Sequence, residues 1–394
     1  MRYHGGLLIG AAFLAVVGSP LMAQRVAEQE LFWPPPPEEP RIRYVGSLGT
    51  EKELGRSEGF FSKLKRAILG GEGPRYLQIE RPFDIHVQRG TRYYFTNGST
   101  RAVFMFDTDA KKAEMLGVDV PGGLAKPMGL GGGPDGTVYV ADASLRRVVV
   151  FDSLGAYVRM FGDGQSLLNP VDVAVDPTTG VTYVVDSYQH QVVVFDRDGM
   201  EIGRIGKRMA AIDLRSHDVA TSEINGDLME ADHAGMSSLQ TSDLWENRGA
   251  AEGEFRYPGS VDVGPDGVLY VSDQMNFRVQ SFDRDGQFLL SFGGLGDRPG
   301  NFTRPKGVAV DSEGNVYVVD ASFSNVQVFA PNGELLISFG QLGHGDGEHW
   351  LPLGIAVDRS TNRIYVADRY NNRAQIYQLL PIPSVLADEG EDGG

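Results

Sequence analysis

Three short segments carry side chains that could do chemistry where related segments carry none. They read RPFDIH at 81–86, NPVDVA at 169–174 and YPGSVD at 257–262, and the same proline opens KPMGLG at 126–131, RPKGVA at 304–309 and LPLGIA at 351–356. Two residues after the proline stand Asp84, Gly129, Asp172, Ser260, Gly307 and Gly354. Two further on stand His86, Gly131, Ala174, Asp262, Ala309 and Ala356. Strand residues two apart share a face, so Asp84 goes with His86 and Ser260 with Asp262. Glycine and alanine in the other copies mark a crowded place, where charge is costly unless something pairs it. Asp84, His86, Asp172 and Asp262 converging there would hold a divalent cation. Their oxygens point to calcium, and the imidazole admits zinc or manganese. The competing reading is a water-filled channel whose carboxylates accept hydrogen bonds from neighbouring backbone N–H groups.

A second set of candidates follows a recurring V-Y-V-x-D. Asp142, Asp186, Asp273, Asp320 and Asp368, with Asn97 in the first copy, occupy one repeat position. Recurrence in every copy argues for turn capping rather than catalysis. The residues after them vary, and Tyr188, His190, Phe277, Arg278, Phe323, Arg369 and Tyr370 are candidates for ligand binding through aromatic and arginine contacts. His344 and His349 read as solvated loop histidines beside Asp346 and Glu348, with a weak metal site as the alternative. There is no G-x-S-x-G elbow, Walker loop or H-E-x-x-H, and there is no cysteine to serve as nucleophile.

The elements that must position these residues are visible in the stretch 304–340. Four apolar runs (GVAVD, NVYVVD, NVQVF and ELLISFG) are separated by turn signals such as Pro-Asn-Gly, which predicts a four-stranded antiparallel meander. Six copies follow the prolines Pro82, Pro127, Pro170, Pro258, Pro305 and Pro352, spaced 45, 43, 88, 47 and 47 residues apart. A period near 45 with four short strands belongs to β-propellers. One such sheet cannot bury both faces alone, so the copies must pack radially. The pattern P-x-G-V-A-V-D, V-Y-V-x-D, R-V-x-V-F-D and a closing F-G resembles the NHL repeat across roughly residues 81–380. The fold class expected is all-β: a six-bladed β-propeller of four-stranded antiparallel blades.

The ends of the chain fit that reading. The sixth copy stops after its third strand at RAQIYQLL, while RIRYVGSLG at 41–49 imitates a fourth. An N-terminal strand therefore closes the last blade and removes an open edge. Residues 1–23, with Arg2 and an apolar run from Gly5 to Gly18, read as a secretory signal peptide, an uncleaved anchor being the alternative. A Pro-rich linker spans 24–40, with Leu31, Phe32 and Trp33 placed to dock on the propeller. Residues 58–71 hold a short amphipathic helix whose Lys63, Lys65 and Arg66 suggest a weak membrane-surface contact through 60–69; the plainer reading packs it over a propeller face. About 40 residues at 207–247 are an insertion between the third and fourth blades, and 381–394 is an acidic, disordered tail.

Composition narrows the function. The chain has 36 basic and 52 acidic side chains, a net charge of −16, which argues against nucleic acid as a partner. The short helix, FWPPPPE and RIRYVGSLG also resemble a group of exported bacterial six-bladed NHL proteins. The resemblance brings in two kinds of relative: lactonases and a peptidyl amidating lyase that use a channel metal, and ubiquitin ligases. Catalytic residues of the first have no position-by-position match here. The RING of the second needs cysteines, and this chain has none. The expectation is an exported, periplasmic or extracellular scaffold binding a protein, peptide or envelope polymer through its loop face. A metal-dependent hydrolase or lyase centred on the channel is the alternative.

Overall fold

The computed structural model describes residues 30–54, 76–97, 100–206 and 249–381. The signal peptide, the first part of the Pro-rich linker, the short helix with its membrane-contact reading, the insertion and nearly all of the tail lie outside the described residues. Among those described, no helix is long and apolar enough to cross a membrane.

Six antiparallel sheets form a ring. Blade 1 runs Pro82–Gln88, Arg92–Asn97, Val103–Asp107 and Lys112–Leu116, and blades 2 to 5 repeat that order from Pro127, Pro170, Pro258 and Pro305. Blade 6 takes Pro352–Asp358, Arg363–Asp368 and Arg373–Leu379 from the C-terminal end. Its fourth strand is Ile42–Leu48, paired from Ile42↔Leu379 to Leu48↔Ala374. Phe32–Trp33 adds a short fifth strand outside it, and the Trp33 ring lies 6.1 Å from Phe339 and 5.7 Å from Tyr377. The inner strands pack in sequence, and that of blade 6 meets that of blade 1.

The hydrophobic pattern explains why the ring forms. Second and third strands such as Val316–Asp320 and Asn325–Phe329 are buried almost throughout, because neighbouring blades cover both faces. Outer strands such as Leu335–Phe339 alternate between exposed and covered residues. Six separate cores result, one in each seam; that between blades 5 and 6 contains Tyr317, Val319, Phe339, Ile355 and Tyr377, with Ile42 of the closing strand. In all six inner strands the register breaks just after the proline, which lacks the N–H a regular ladder would use.

Candidate functional site

The central channel is lined by the inner strands, and the position two after each proline lies in the seams between them. Asp84 Oδ2 accepts the Leu130 N–H of the next blade at 2.8 Å, Asp172 Oδ2 accepts that of Val261 at 2.9 Å, and Ser260 Oγ accepts that of Val308 at 3.1 Å. The glycine seams close without such a bridge. A Cβ on Gly307 would lie 2.6 Å from the Leu353 carbonyl oxygen, and one on Gly354 would lie 2.6 Å from the Asp84 Cα. Polar side chains and glycines are thus two solutions to one packing problem. One level down, Asp262 Oδ2 accepts the Val310 N–H at 2.8 Å and an Arg359 N–H at 3.2 Å. Arg359, from the turn after the inner strand of blade 6, also donates from Nε to the Val310 carbonyl at 2.9 Å. His86 packs over Gly132 of blade 2 and beside the Tyr94 ring.

This geometry does not fit a cation. Among the described residues no three His, Asp or Glu side chains are grouped closely enough to hold a metal ion. Asp172 Oδ1 and Asp262 Oδ1 accept their own following N–H groups at 2.9 and 2.8 Å, so each oxygen of these two carboxylates already accepts at least one hydrogen bond. The structure therefore does not assemble Asp84, His86, Asp172 and Asp262 into the cation site envisaged from their spacing.

Burial governs how these groups titrate. It pushes Asp172 up to about 7, with the Asp262 charge adding to the rise and the hydrogen bonds from Ser260 and the backbone opposing it. Asp84 rises well above the usual carboxylate range through burial and the charge of Asp172, while Asp262 rises through burial against the pull of Arg359. Burial lowers His86 to about 4. Between about pH 4 and 7 the folded chain keeps a proton on Asp172 that the unfolded chain has lost, so this group's stabilisation falls as pH rises through that window. His86 acts in the opposite sense, weakening the fold as pH drops from about 6.5 towards 4. Thermal melts of Asp172→Asn beside the natural chain separate the two. The variant should gain relative to the natural chain between pH 4 and 7, and a constant difference would contradict the assignment.

The loop face lies at the proline end of the inner strands, where each second strand ends beside the proline, as in Pro170↔Asp186 and Pro305↔Asp320. Aspartates of the second column cap this end. Asp186 accepts the N–H groups of Asn169, Tyr188 and Gln189, and Asp320 those of Thr303, Arg304, Ser322 and Phe323. Two seams carry a further clasp. The Tyr257 N–H donates to His190 Nδ1 at 2.9 Å, and the Arg81 N–H donates to Asn372 Oδ1 at 2.8 Å. All four residues are left-handed, with φ between 46° and 56°, and Tyr257 and Arg81 each precede a proline. That conformation is uncommon for non-glycine residues; it recurs at Leu351 before Pro352 and at Arg146, Phe277 and Ser324 in the turns of other blades, so the repeat sets it and the clasps add a bond across two of the seams. These seams, between blades 3 and 4 and between blades 6 and 1, are opposite one another in the ring.

The ligand candidates divide accordingly. Tyr188 is 44% exposed and Tyr257 48%, and the Tyr257 ring stands edge-on to His190 at 4.6 Å. Burial, helped by Arg256, lowers His190 below the ordinary histidine range, and its Nδ1 accepts the Tyr257 N–H. Neutral His190 therefore carries its proton on Nε2. At the opposite seam Arg369 is buried against Tyr370, its guanidinium 5.9 Å from the ring centroid. Arg278 is not available to a ligand: its Nε binds Asp273 at 3.0 Å and its terminal nitrogen the carbonyls of Ala251 and Glu254, tying down the linker into its own blade. Arg373 does the same in blade 6. Phe277 packs partly into the core between blades 4 and 5, and the structure does not join it or Phe323 to either aromatic cluster.

Three residues were missed. Trp350, 44% exposed, stands edge-on to Tyr370 at 5.3 Å and His344 at 4.7 Å. Tyr257 and Arg81 occupy the clasps. Their signal was position: Trp350 is two residues before its repeat proline, and the other two are one before theirs. His349 is not a solvated loop residue but fully buried, with Nδ1 3.1 Å from the Ser324 carbonyl and Nε2 2.8 Å from the Tyr377 hydroxyl. It lies three before its proline, where the other copies place Ile79, Leu124, Leu167, Phe255 and Phe302 in the core.

Blade number, strand order and the proline-to-phenylalanine phrase define the class: an NHL-repeat six-bladed β-propeller. Residues 302–329 and 350–377 match the NHL repeat family. No curated protein matches the sequence. Among solved structures the chain is similar to a protein of unknown function from Bacteroides thetaiotaomicron, with 17% identity over 77% of this chain and 70% of that one and a TM-score of 0.54. It is similar also to a gluconolactonase from Xanthomonas campestris, at 16% identity over 77% and 87% with a TM-score of 0.52. A streptogramin B lyase aligns at 13% identity over 76% and 94%, with a TM-score of 0.50. At these identities the likeness speaks for the fold alone.

Proposed function

We propose that the chain is an exported binding scaffold that recognises a protein, peptide or envelope polymer through its loop face. The observation that carries this reading is the pair of opposed, clasped seams, which hold Tyr188 and Tyr257 on one side and Trp350 and Tyr370 on the other. Rigid aromatic rings at an exposed face supply contact area at low entropic cost. The N-terminal segment, which reads as a signal peptide, supports export. For the alternative, a channel hydrolase or lyase, the structure offers less: among the described residues Asp84, His86, Asp172 and Asp262 form no group that could hold a metal ion.

Affinity capture from the native envelope tests the proposal, with the chain from residue 24 as bait. The natural bait should retain a defined partner, and Tyr188→Ala with Tyr257→Ala, or Trp350→Ala with Tyr370→Ala, should cut the yield about tenfold or more, as expected when central aromatic anchors are truncated. Empty capture, or yields indifferent to both pairs, would overturn it.

A further inference from the structure

The seam between blades 6 and 1 carries more than exposed rings. A cavity of about 280 Å³ opens there, lined by Gln78, Ile79, Glu80, Arg81 and Asn372. It adjoins the aromatic cluster directly, since the Arg81 guanidinium lies 5.8 Å from the centroid of the Tyr370 ring and Asn372 follows Tyr370 by two residues. The main chain that carries the rings is tied down. The Trp350 N–H donates to Asp368 Oδ1 at 2.7 Å, the Tyr370 N–H to the Trp350 carbonyl at 3.1 Å, and His344 Nδ1 lies 2.7 Å from Asn371 Oδ1.

From this arrangement we propose that the seam binds one ring of a neutral saccharide chain, which rests on reading the loop face as a binding surface. The polar lining includes the Glu80 carboxylate and the Gln78 carboxamide at exposed positions, flat groups that can meet adjacent hydroxyls as acceptor and as donor, and the amide NH2 of Asn372, whose Oδ1 is taken by the Arg81 N–H. Flat aromatic surface beside them suits the C–H face of a sugar ring. An anionic polymer fits poorly, because the lining has no net sign and the chain carries −16 overall. A protein hot spot would call for an aliphatic or aromatic pocket, and here Ile79, the one apolar residue lining the cavity among the described residues, is itself buried to 1% exposure. The cavity is slightly smaller than the roughly 300–1,000 Å³ of sites that engulf a whole drug-sized ligand. It therefore takes one ring of a longer chain that continues across Trp350 and Tyr370.

Isothermal titration calorimetry of the chain from residue 24 with chitotetraose, cellotetraose and maltotetraose tests this. At least one should give saturable heat. Removing both rings in Trp350→Ala with Tyr370→Ala should weaken it about tenfold or more, since a stacked ring contributes about 0.5–1.5 kcal/mol and 1.4 kcal/mol is a factor of ten. Gln78→Ala and Glu80→Ala, both at exposed positions, should also weaken it with the melting temperature unmoved, which separates binding from misfolding. No saturable heat with any of the three sugars, or heat indifferent to these substitutions, overturns the proposal. If envelope capture by the loop face persists in that case, the scaffold reading stands and only the saccharide is lost; if capture fails as well, both fall.

Discussion

A chain lacking residues up to Leu48 should fail to hold a closed ring at ordinary temperature, and a peptide of residues 30–49 added in trans should restore much of the loss. Without Ile42–Leu48 the strand Arg373–Leu379 becomes an unpaired edge beside an incomplete core. Ile42 is fully buried and Leu48 nearly so, and Tyr44 stands edge-on to Tyr377 at 5.6 Å. Burying large apolar side chains contributes about 1.5–3 kcal/mol each, so the closing strand accounts for a large part of a net stability on the order of 5–15 kcal/mol. The single substitution Ile42→Asp places an unpaired carboxylate in that core and should cost about 4 kcal/mol or more. Thermal melts and sedimentation would check both. The truncated chain should melt far below the natural one and associate through its open edge. If it melts within a few degrees of the natural chain as a monomer, the ring does not depend on this closure.

The fold was legible because its signal is repeated. Six prolines, 43 to 47 residues apart except for the one gap of 88, and a sixth copy one strand short, lead to the closed ring, and the N-terminal imitation of an outer strand occupies the vacancy. The channel was legible only as a set of positions. Asp84, His86, Asp172 and Asp262 do depart from small residues at a crowded level, but a period of two cannot say where a lone pair points. That depends on the register break after each proline and on how closely each pair of inner strands approaches. The clasps were hidden for a different reason. A left-handed Tyr257 or Arg81 before proline runs against local preference, and its hydrogen-bond acceptor lies 67 or 291 residues away in the chain. His349 was misread from its glycine-rich surroundings, although its distance from the proline already placed it with Phe255 and Phe302.

The alternation of glycine and acid around the channel leads to the other large effect. Gly354→Ala should destabilise the chain by about 3 kcal/mol or more, because the added Cβ would meet main chain on the neighbouring strand: the Asp84 Cα at 2.6 Å and the Phe83 carbonyl oxygen at 3.0 Å. Gly307→Ala should behave alike, its Cβ facing the Leu353 carbonyl oxygen at 2.6 Å and the Ile355 nitrogen at 3.0 Å. Asp84→Ala works through chemistry instead. It leaves the Leu130 N–H without its acceptor, a loss of about 1–3 kcal/mol. Near neutral pH part of this is returned, because a half-buried acid, whose ionisation the surrounding strands and the Asp172 charge disfavour, has been removed. Denaturant melts at pH 5 and pH 8 distinguish the two: the penalty of Gly354→Ala should hold across both, whereas that of Asp84→Ala should be smaller at pH 8. Combining them gives a sharper test. Trimming Asp84 to alanine removes its carboxylate but not its Cα, so the double variant should keep most of the Gly354→Ala cost. Full rescue would mean that the seam is held apart by the Asp84 side chain alone, and that its glycine is there to make room for the acid rather than for the backbone.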